Sequence, residues 1–370
     1  MTNVLVTGAN GFIGKNLIDR LKRLDVTVNV FDSKDDLQTL EHGLMQADLV
    51  YHLAGVNRPE REQLFMDVNA GLTEQIVTLL ARYGHRTPVV LASSSQAVLD
   101  NPYGKSKKSA EQSVLLYGEK TGAKCYIYRL PNVFGKWCRP NYNSVVATFC
   151  HNIARDLDIT ISDPERKLSL VYIDDVVDSL ASLIAEIGRE GSVEYRSIDR
   201  LFEVTLGELV DKLRLIKDIR ISHVLPDLSD PFMKCLHATY LSYLPKQQFA
   251  YPLEMKIDNR GSLAEIVKSK QFGQIFVSKS YKGIVRGNHY HHTKVEKFCV
   301  INGRAVIKFR NVFEEDVLSY EVSGDDIQVV DIPPGYTHSI ENMSDGELIV
   351  LFWANEIFDP QSPDTYLLEV

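Results

Sequence analysis

Short apolar runs alternate with amphipathic stretches through the first ~180 residues. "NVLVT" (3–7), "VNVFD" (28–32), "DLVYHLAG" (48–55), "PVVLASS" (88–94) and "CYIYRL" (125–130) are rich in β-branched residues and bounded by polar residues or glycine, which predicts buried strands. Helical patterns lie between them. The stretch "EQLFMDVNAGLTEQIVTLLARYG" (62–84) is one, with Gly84 placed to end it. Strand–helix alternation predicts a parallel sheet covered on both faces, a doubly wound α/β fold. From about residue 245 the pattern changes. "QIFVSKS", "KFCVING", "RAVIKFR", "DVLSYEV", "IQVVDIPPG" and "ELIVLFW" are short strands at close spacing, which predicts an all-β barrel or sandwich. The proline-bounded "LPKQQFAYPLE" (244–254) connects the halves, so one domain is expected over 1–245 and a second over 253–370.

Composition narrows the class. The chain has 370 residues, enough for two domains, and its 44% hydrophobic and 24% charged residues are those of an ordinary globular protein. A formal net charge of −8 argues against a general nucleic-acid binder, because neutralising phosphates needs clustered Lys and Arg. No apolar run reaches the ~18–20 residues that span a bilayer. A strand already begins at Asn3, which leaves no room for a signal peptide and predicts a cytoplasmic protein. Cys125, Cys138, Cys150, Cys235 and Cys299 form no CxxC pair and read as reduced thiols.

The first chemical constellation is "TGANGFIG". It sets Gly8, Gly11 and Gly14 between a strand and a helix beginning near Phe12. The first glycine permits a tight turn, the second a close approach of backbone to pyrophosphate, and the third close helix–strand packing. Asp32 ends the second strand 18 residues after Gly14, where a carboxylate accepts from the adenine ribose and favours NAD. Ser33 and Lys34 follow at once and are able to hold the 2′-phosphate of NADP, so both cofactors stay open. "YGKSK" then places Tyr103 and Lys107 four residues apart, on one face of a helix. An ammonium beside a phenol stabilises the phenolate and suits the tyrosine to proton transfer. This also accounts for the local run of lysines at 105–108. Upstream, "LASSSQAV" ends a strand with three serines, any of which offers a hydroxyl to a substrate oxygen.

Together with "HLAG" (52–55), "VNAG" (68–71), "LPNVFG" (130–135) and "SLVYIDDVVDSL" (169–180), these motifs resemble the extended short-chain dehydrogenase/reductase family, over roughly residues 1–243. That family has a Rossmann-type sheet and acts mostly on nucleotide-diphosphate sugars. The resemblance implies that Tyr103 is the acid/base and that Lys107 holds the nicotinamide ribose and lowers the Tyr103 pKa. It implies Ser95 as the carbonyl-polarising hydroxyl, with Ser94 the alternative. Gly8, Asn10, Gly11, Phe12, Ile13, Gly14, Asp32, Leu53, Ala54 and Asn69 would line the cofactor, and Asn132 would face nucleotide and substrate. Only seven residues separate Ser95 from Tyr103, fewer than is usual in the family, so a substrate-facing loop is shortened.

The second constellation lies in "GNHYHHTKVEKFCVING". Gly283, His289, His291, Glu296 and Gly303 follow the spacing G-x5-H-x-H-x4-E-x6-G. In a strand His289 and His291 share a face, and Glu296 reaches the same centre from the next strand. "PPGYTHSIEN" (333–342) adds His338. Three imidazoles and a carboxylate suit one divalent metal such as zinc. This is the two-motif pattern of the cupin family, which the chain resembles over about 253–370. Within it, "DNRGSLAE" (258–265) and "KGIVRGNHYH" (282–291) resemble the sugar-nucleotide 3,5-epimerases of the deoxyrhamnose pathway. Those enzymes remove a proton next to a C4 ketone. Their histidine base falls at His289, here a metal ligand, and their tyrosine acid near Phe352 and Trp353. The base and acid therefore do not transfer, and Lys297, His292 and Tyr336 stay open as alternatives. The metal is equally able to be catalytic or structural. Arg260 and Arg286 suit a diphosphate, or a surface ion pair.

The fusion of reductase and cupin resembles a family of bifunctional enzymes of bacterial capsular polysaccharide and O-antigen synthesis. That resemblance implies C3 epimerisation of a UDP-4-keto-6-deoxy-HexNAc, reduction at C4 with NADPH to UDP-2-acetamido-2,6-dideoxy-L-talose, and a homodimer. A single-activity NAD-dependent epimerase or dehydratase with a cupin used only for dimerisation is the alternative.

Overall fold

The computed structural model describes residues 2–370. The chain forms two compact units. The first runs to Leu213 and takes in Cys235–Pro245; the second holds Arg214–Lys234 and Lys246–Val370.

In the first unit the apolar runs form a parallel sheet. Its strands are β1 (Thr2–Thr7), β2 (Val26–Phe31), β3 (Leu49–His52), β4 (Val89–Ser94), β5 (Tyr126–Leu130) and β8 (Glu194–Arg196), in the order β2-β1-β3-β4-β5-β8. Every neighbouring pair is parallel. Strands β3 and β4 are buried at every residue, as two covered faces require. One face meets α1 (Phe12–Leu21) and α6 (Ile173–Ser182), whose Leu17, Leu21, Val176 and Leu180 pack on Val4, Val6 and Tyr51. The other meets α2 (Leu37–Gln46), α3 (Leu72–Arg82) and α4 (Pro102–Thr121) through Leu40, Leu44, Ile76, Leu80 and Val114. A small sheet of β6 (Asn132–Phe134), β7 (Lys167–Tyr172) and β9 (Phe202–Thr205) flanks α5 (Val145–Ile153) in sequence. Strand order reverses between β1 and β3, so a crevice opens at their carboxyl ends.

The helix expected over 62–84 is split in two. Phe65–Gly71 is π-helical, and the regular α3 follows. The π-turn brings Asn69 inward, where it is buried.

In the second unit two antiparallel sheets face each other. One has the order β10-β11-β12-β19-β14-β17, from β10 (Met255–Asp258), β11 (Gly261–Ser269), β12 (Gly273–Ser280), β14 (Glu296–Asn302), β17 (Val329–Ile332) and β19 (Leu348–Ala354). The other has the order β16-β15-β18-β13-β20, from β13 (Val285–Tyr290), β15 (Arg304–Asn311), β16 (Val317–Ser323), β18 (Tyr336–Asn342) and β20 (Tyr366–Leu367). Inward residues of both sheets meet in one core: Phe298, Val300, Val350 and Phe352 from the first, Ile307, Phe309, Val322 and Ile340 from the second. The helices α7 (Leu206–Ser222) and α8 (Pro231–Ser242) precede these strands. The residues just after α7 join the second unit because Lys268 of β11 donates to His223 O at 2.7 Å and accepts from Leu225 N at 2.8 Å.

His52 shows how polar groups tie the first unit together. Its Nδ1 lies 2.7 Å from Thr7 Oγ1, and its Nε2 lies 2.9 Å from Thr73 Oγ1. Thr73 spends its one hydroxyl proton on Asn69 O at 2.7 Å, so it accepts from His52 Nε2–H. Nε2 therefore carries a proton, and burial keeps the ring neutral at pH 7. Burial, with a smaller push from Lys107, lowers its pKa from 6.5 to about 3. The unfolded chain takes up the proton first, so stability is complete above about pH 6.5 and declines as pH falls toward 3, by on the order of a few kcal/mol. We expect the urea midpoint to fall across this window. His52→Gln should start lower at pH 7 and show a shallower pH slope.

Candidate active site and candidate metal centre

The turn after β1 is built on close backbone contacts. Gly8 has φ +70°, and a Cβ there would stand 2.7 Å from Ala54 Cα. A Cβ on Gly14 would stand 2.2 Å from Gly8 O. Helix α1 starts at Phe12 with no side chain capping its first amides, which leaves them for an anion at the crevice. Phe12, Ile13 and Leu53 fix the turn by packing on the core below. Asp32 accepts from Asn10 N at 2.7 Å and from Ser33 N at 2.8 Å. Burial opposes its charge, but these backbone bonds outweigh it and lower its pKa. A dinucleotide fits this turn: free helix amides for the pyrophosphate and an ionised carboxylate at the ribose end.

Asn101 caps α4 by accepting from Gly104 N at 2.7 Å, with Pro102 at the first helical position. Tyr103 and Lys107 thus sit on successive turns. Lys107 is buried, donates to Ala92 O at 2.9 Å, and lies 6.0 Å from the Tyr103 ring centroid. Burial lowers its pKa to about 8, against an opposing pull from Glu111. Burial also raises the Tyr103 phenol, and a hydrogen bond with the Ser94 hydroxyl pulls it back. Ser94 is buried at the end of β4, whereas Ser95 is exposed in a 3-10 turn over Ser95–Val98. The serine that meets Tyr103 is therefore Ser94. The short connection packs tightly on the helix: a Cβ on Gly104 would stand 2.4 Å from Gln96 O.

Asn69 braces this region. Its Oδ1 accepts from Val56 N at 2.8 Å, and its Nδ2 donates to Ser106 Oγ at 3.0 Å. Ser106 in turn donates to Tyr103 O at 2.8 Å. Asn132 is exposed on β6. The loop after it holds Trp137 at φ +68° and Asn141 at φ +55°, left-handed positions that no sequence signal marked.

In the second unit His289, His291, Glu296 and His338 converge. Each offers a ligand atom, and all four atoms lie within 4.8 Å of one another. His289 lies on β13 after a bulge at Gly287/His289, His291 just past its end, Glu296 at the start of β14, and His338 on β18. Ligands about 2.1 Å from a tetrahedral zinc lie roughly 3.4 Å apart. Glu296 Oε2 is 3.4 Å from His291 Nε2 and 3.6 Å from His338 Nε2. His291 Nδ1 donates to Asp364 O at 2.5 Å, which turns its other nitrogen toward the cluster. His291 Nε2 and both ring nitrogens of His338 are buried without a hydrogen-bond partner in the protein. Burial would raise Glu296, but the two imidazoles hold its pKa at about 2. Burial and the neighbouring imidazoles bring His289 down to about 4. This donor set fits a divalent ion.

The cluster borders a cavity of about 140 Å³ that includes Arg286, Phe276, Phe298 and Phe352 in its wall. Arg286 Nε donates to Ser280 Oγ at 2.9 Å. Arg260 is bound to Asp258 at 2.5 Å and is not in the wall. Nor are Lys297, which pairs with Asp331, the exposed His292, or Tyr336, which packs on the core. Asp364 escaped sequence reading. It lies about 70 residues from the motif it supports, and its carboxylate accepts from the amides of His292, Thr293 and Lys294 at 2.8–3.0 Å.

Comparison with known proteins follows the same division. The NAD dependent epimerase/dehydratase family matches residues 4–194, and the Polysaccharide biosynthesis C-terminal domain matches residues 256–366. The crystal structure of capsular polysaccharide assembling protein CapF from Staphylococcus aureus is similar with a TM-score of 0.92 and 46% identity, covering 100% of both chains. This chain is a CapF-type member of the NAD dependent epimerase/dehydratase family. A Pseudomonas aeruginosa relative named UDP-2-acetamido-2,6-beta-L-arabino-hexul-4-ose reductase is 40% identical over 368 residues, 99% of this chain and 98% of its own. The UDP-glucuronic acid 4-epimerase of Bacillus cereus in complex with NAD has a TM-score of 0.55 at 19% identity, over 67% of this chain and 98% of that one, which shows the fold alone. Family membership and the named reductase relative make the chain an oxidoreductase. Among the described residues no helix is long and apolar enough to cross a membrane.

One turn beyond Lys107, Glu111 is held by Arg129 at 2.6 and 2.9 Å and by Ser93 Oγ at 2.6 Å. Removing its carboxylate leaves Arg129 without its partner. We expect Glu111→Ala to lose about 3 kcal/mol in urea unfolding.

Proposed function

We propose that the protein is a bifunctional sugar-nucleotide enzyme, with a reductase over residues 1–245 and a metal-holding, cupin-type epimerase over 253–370. The reductase acts on the C4 ketone of a UDP-4-keto-6-deoxy-HexNAc with NADPH and yields UDP-2-acetamido-2,6-dideoxy-L-talose for capsular polysaccharide. The epimerase inverts C3 of the same sugar beforehand. The observation that carries the reading is the meeting of Tyr103, Lys107 and Ser94 beside a dinucleotide turn. The Pseudomonas aeruginosa relative, named for reducing such a 4-ulose, supports the substrate class.

NADPH, when bound, supplies the hydride. Tyr103 gives its phenol proton to the oxygen that forms at C4, Ser94 holds that oxygen, and Lys107 stabilises the phenolate left behind. The exposed Ser33 and Lys34 beside Asp32 are placed to meet a 2′-phosphate, which supports NADPH. His289, His291, Glu296 and His338 would hold one zinc ion, which supplies a Lewis acid or a clamp across strands. A cytoplasmic homodimer completes the reading. Val317, Leu318 and Tyr320 expose apolar surface on the edge strand β16, and such an edge favours pairing.

The test is proton NMR of the protein with the UDP-4-keto sugar in deuterated water, first without and then with NADPH. Exchange at C3 without cofactor, and reduction once NADPH is added, is the expected result. Tyr103→Phe should abolish NADPH oxidation and leave the exchange intact. Ser94→Ala should slow reduction about 10²-fold, whereas Ser95→Ala should stay within a few-fold of wild type. Reduction without any exchange would leave the second unit a structural partner.

Metal binding is checked separately. Asp364→Ala frees the 292–294 backbone and with it His291, and should cost about 10–100-fold in zinc affinity, measured by chelator competition.

A further inference from the structure

We infer that Ser278 is a substrate-binding group of the second-unit cavity, donating its hydroxyl proton to the ketone oxygen of the sugar. The inference rests on the proposed reading of that cavity as the epimerisation site. Ser278 lies in the middle of β12, opposite Leu263 of β11 and Val350 of β19. Strand alternation turns Phe276, Ser278 and Ser280 to the same face. Ser280 is engaged, since its hydroxyl accepts from Arg286 at 2.9 Å. Ser278 is 2% exposed, and its Oγ has no hydrogen-bond partner in the protein. It nevertheless lines the cavity, together with His289, Glu296, His338 and Arg286.

An orphaned hydroxyl among Leu263, Phe276, Ile340 and Phe352 works against folding. It has a physical account if its partner arrives with the ligand. At about 140 Å³ the cavity is several times the ~30 Å³ share of one water, and a sugar ring is the right order of size. The chemistry selects the oxygen. When the C3–H bond breaks, its electron pair becomes the C3–C4 double bond, charge moves to the C4 oxygen, and the proton passes to a base in exchange with solvent. Return of a proton to the other face restores the ketone. A fixed O–H donor in an apolar wall stabilises that charge far better than water does. Among the residues of this wall Ser278 is the one neutral hydroxyl donor.

The experiment compares full-length wild type with Ser278→Ala, using C3 deuterium exchange of the UDP-4-keto sugar without NADPH, bound zinc and thermal midpoint. We expect kcat for exchange to drop about 10²–10³-fold with KM within a few-fold. Zinc content should be unchanged, and the midpoint of the chelator-treated protein should rise by about 2–4 °C as the orphan is removed. Exchange at the wild-type rate would overturn the role of Ser278 and leave the epimerase reading standing. A lower midpoint or lost zinc would show that the hydroxyl serves the fold, and would overturn it as well. No exchange in wild type would overturn both.

Discussion

Lys107 carries an ammonium group out of water, and the first unit answers that cost with the carbonyl of Ala92 at 2.9 Å and the carboxylate of Glu111 one turn further along α4. Much else follows from placing it there. The lysine must enter beside β4, so α4 begins at Pro102 and sets Tyr103 one turn earlier on the same face. Glu111 cannot stand alone either, and it draws in Arg129 from β5 and Ser93 from β4. Ser93 and Ser94 point to opposite sides of the strand, so engaging Ser93 with Glu111 leaves Ser94 to face Tyr103. A structural ion pair thereby decides which hydroxyl is available for chemistry.

The second unit works with the opposite sign. It gathers acceptor atoms instead of burying a cation with its partners. Three imidazoles and a carboxylate bring their ligand atoms within 4.8 Å of one another, and burial with the neighbouring imidazoles lowers the pKa of His289. Folding alone would disperse such a set. It persists because Asp364 fixes the His291 ring from behind, and because Glu296 and His338 belong to strands whose other residues build the apolar core. The strands position the ligands, and the orphaned nitrogens mark what the strands do not satisfy.

Much of this was legible in the sequence because it depended on period and spacing. The five apolar runs became β1 to β5, and the glycine turn became the junction of β1 and α1. The HxH spacing placed two imidazoles together even though His291 lies just beyond the end of its strand. What escaped depended on a one-residue choice or on distance along the chain. Ser94 and Ser95 are adjacent and chemically identical, and only the end of β4 separates a buried hydroxyl from an exposed one. Asp364 acts through its carbonyl as much as its side chain, and no motif records a carbonyl. Residues 214–234 sit among helical patterns, and their place with the second unit depends on two backbone bonds to Lys268.

The two units also differ in where they leave polar groups unanswered, and the difference follows from their secondary structure. A parallel α/β layer exposes helix amides at its crevice, so the first unit keeps open donors at the start of α1, while deeper down His52 is satisfied between two threonines and the side-chain amide oxygens of Asn16 and Asn152 are left without a partner. Away from the sheet edges, antiparallel strands spend their backbone groups on each other, so an open polar group facing the core of the second unit is a side chain. Among the described residues its buried side-chain orphans are the nitrogens of His291 and His338, the hydroxyl of Ser278 and, away from these strands, His223 Nδ1. An unsatisfied amide at a helix start still meets solvent, whereas an unsatisfied side chain inside a two-sheet core does not. Burial therefore makes the second set the stronger indication that a ligand belongs there.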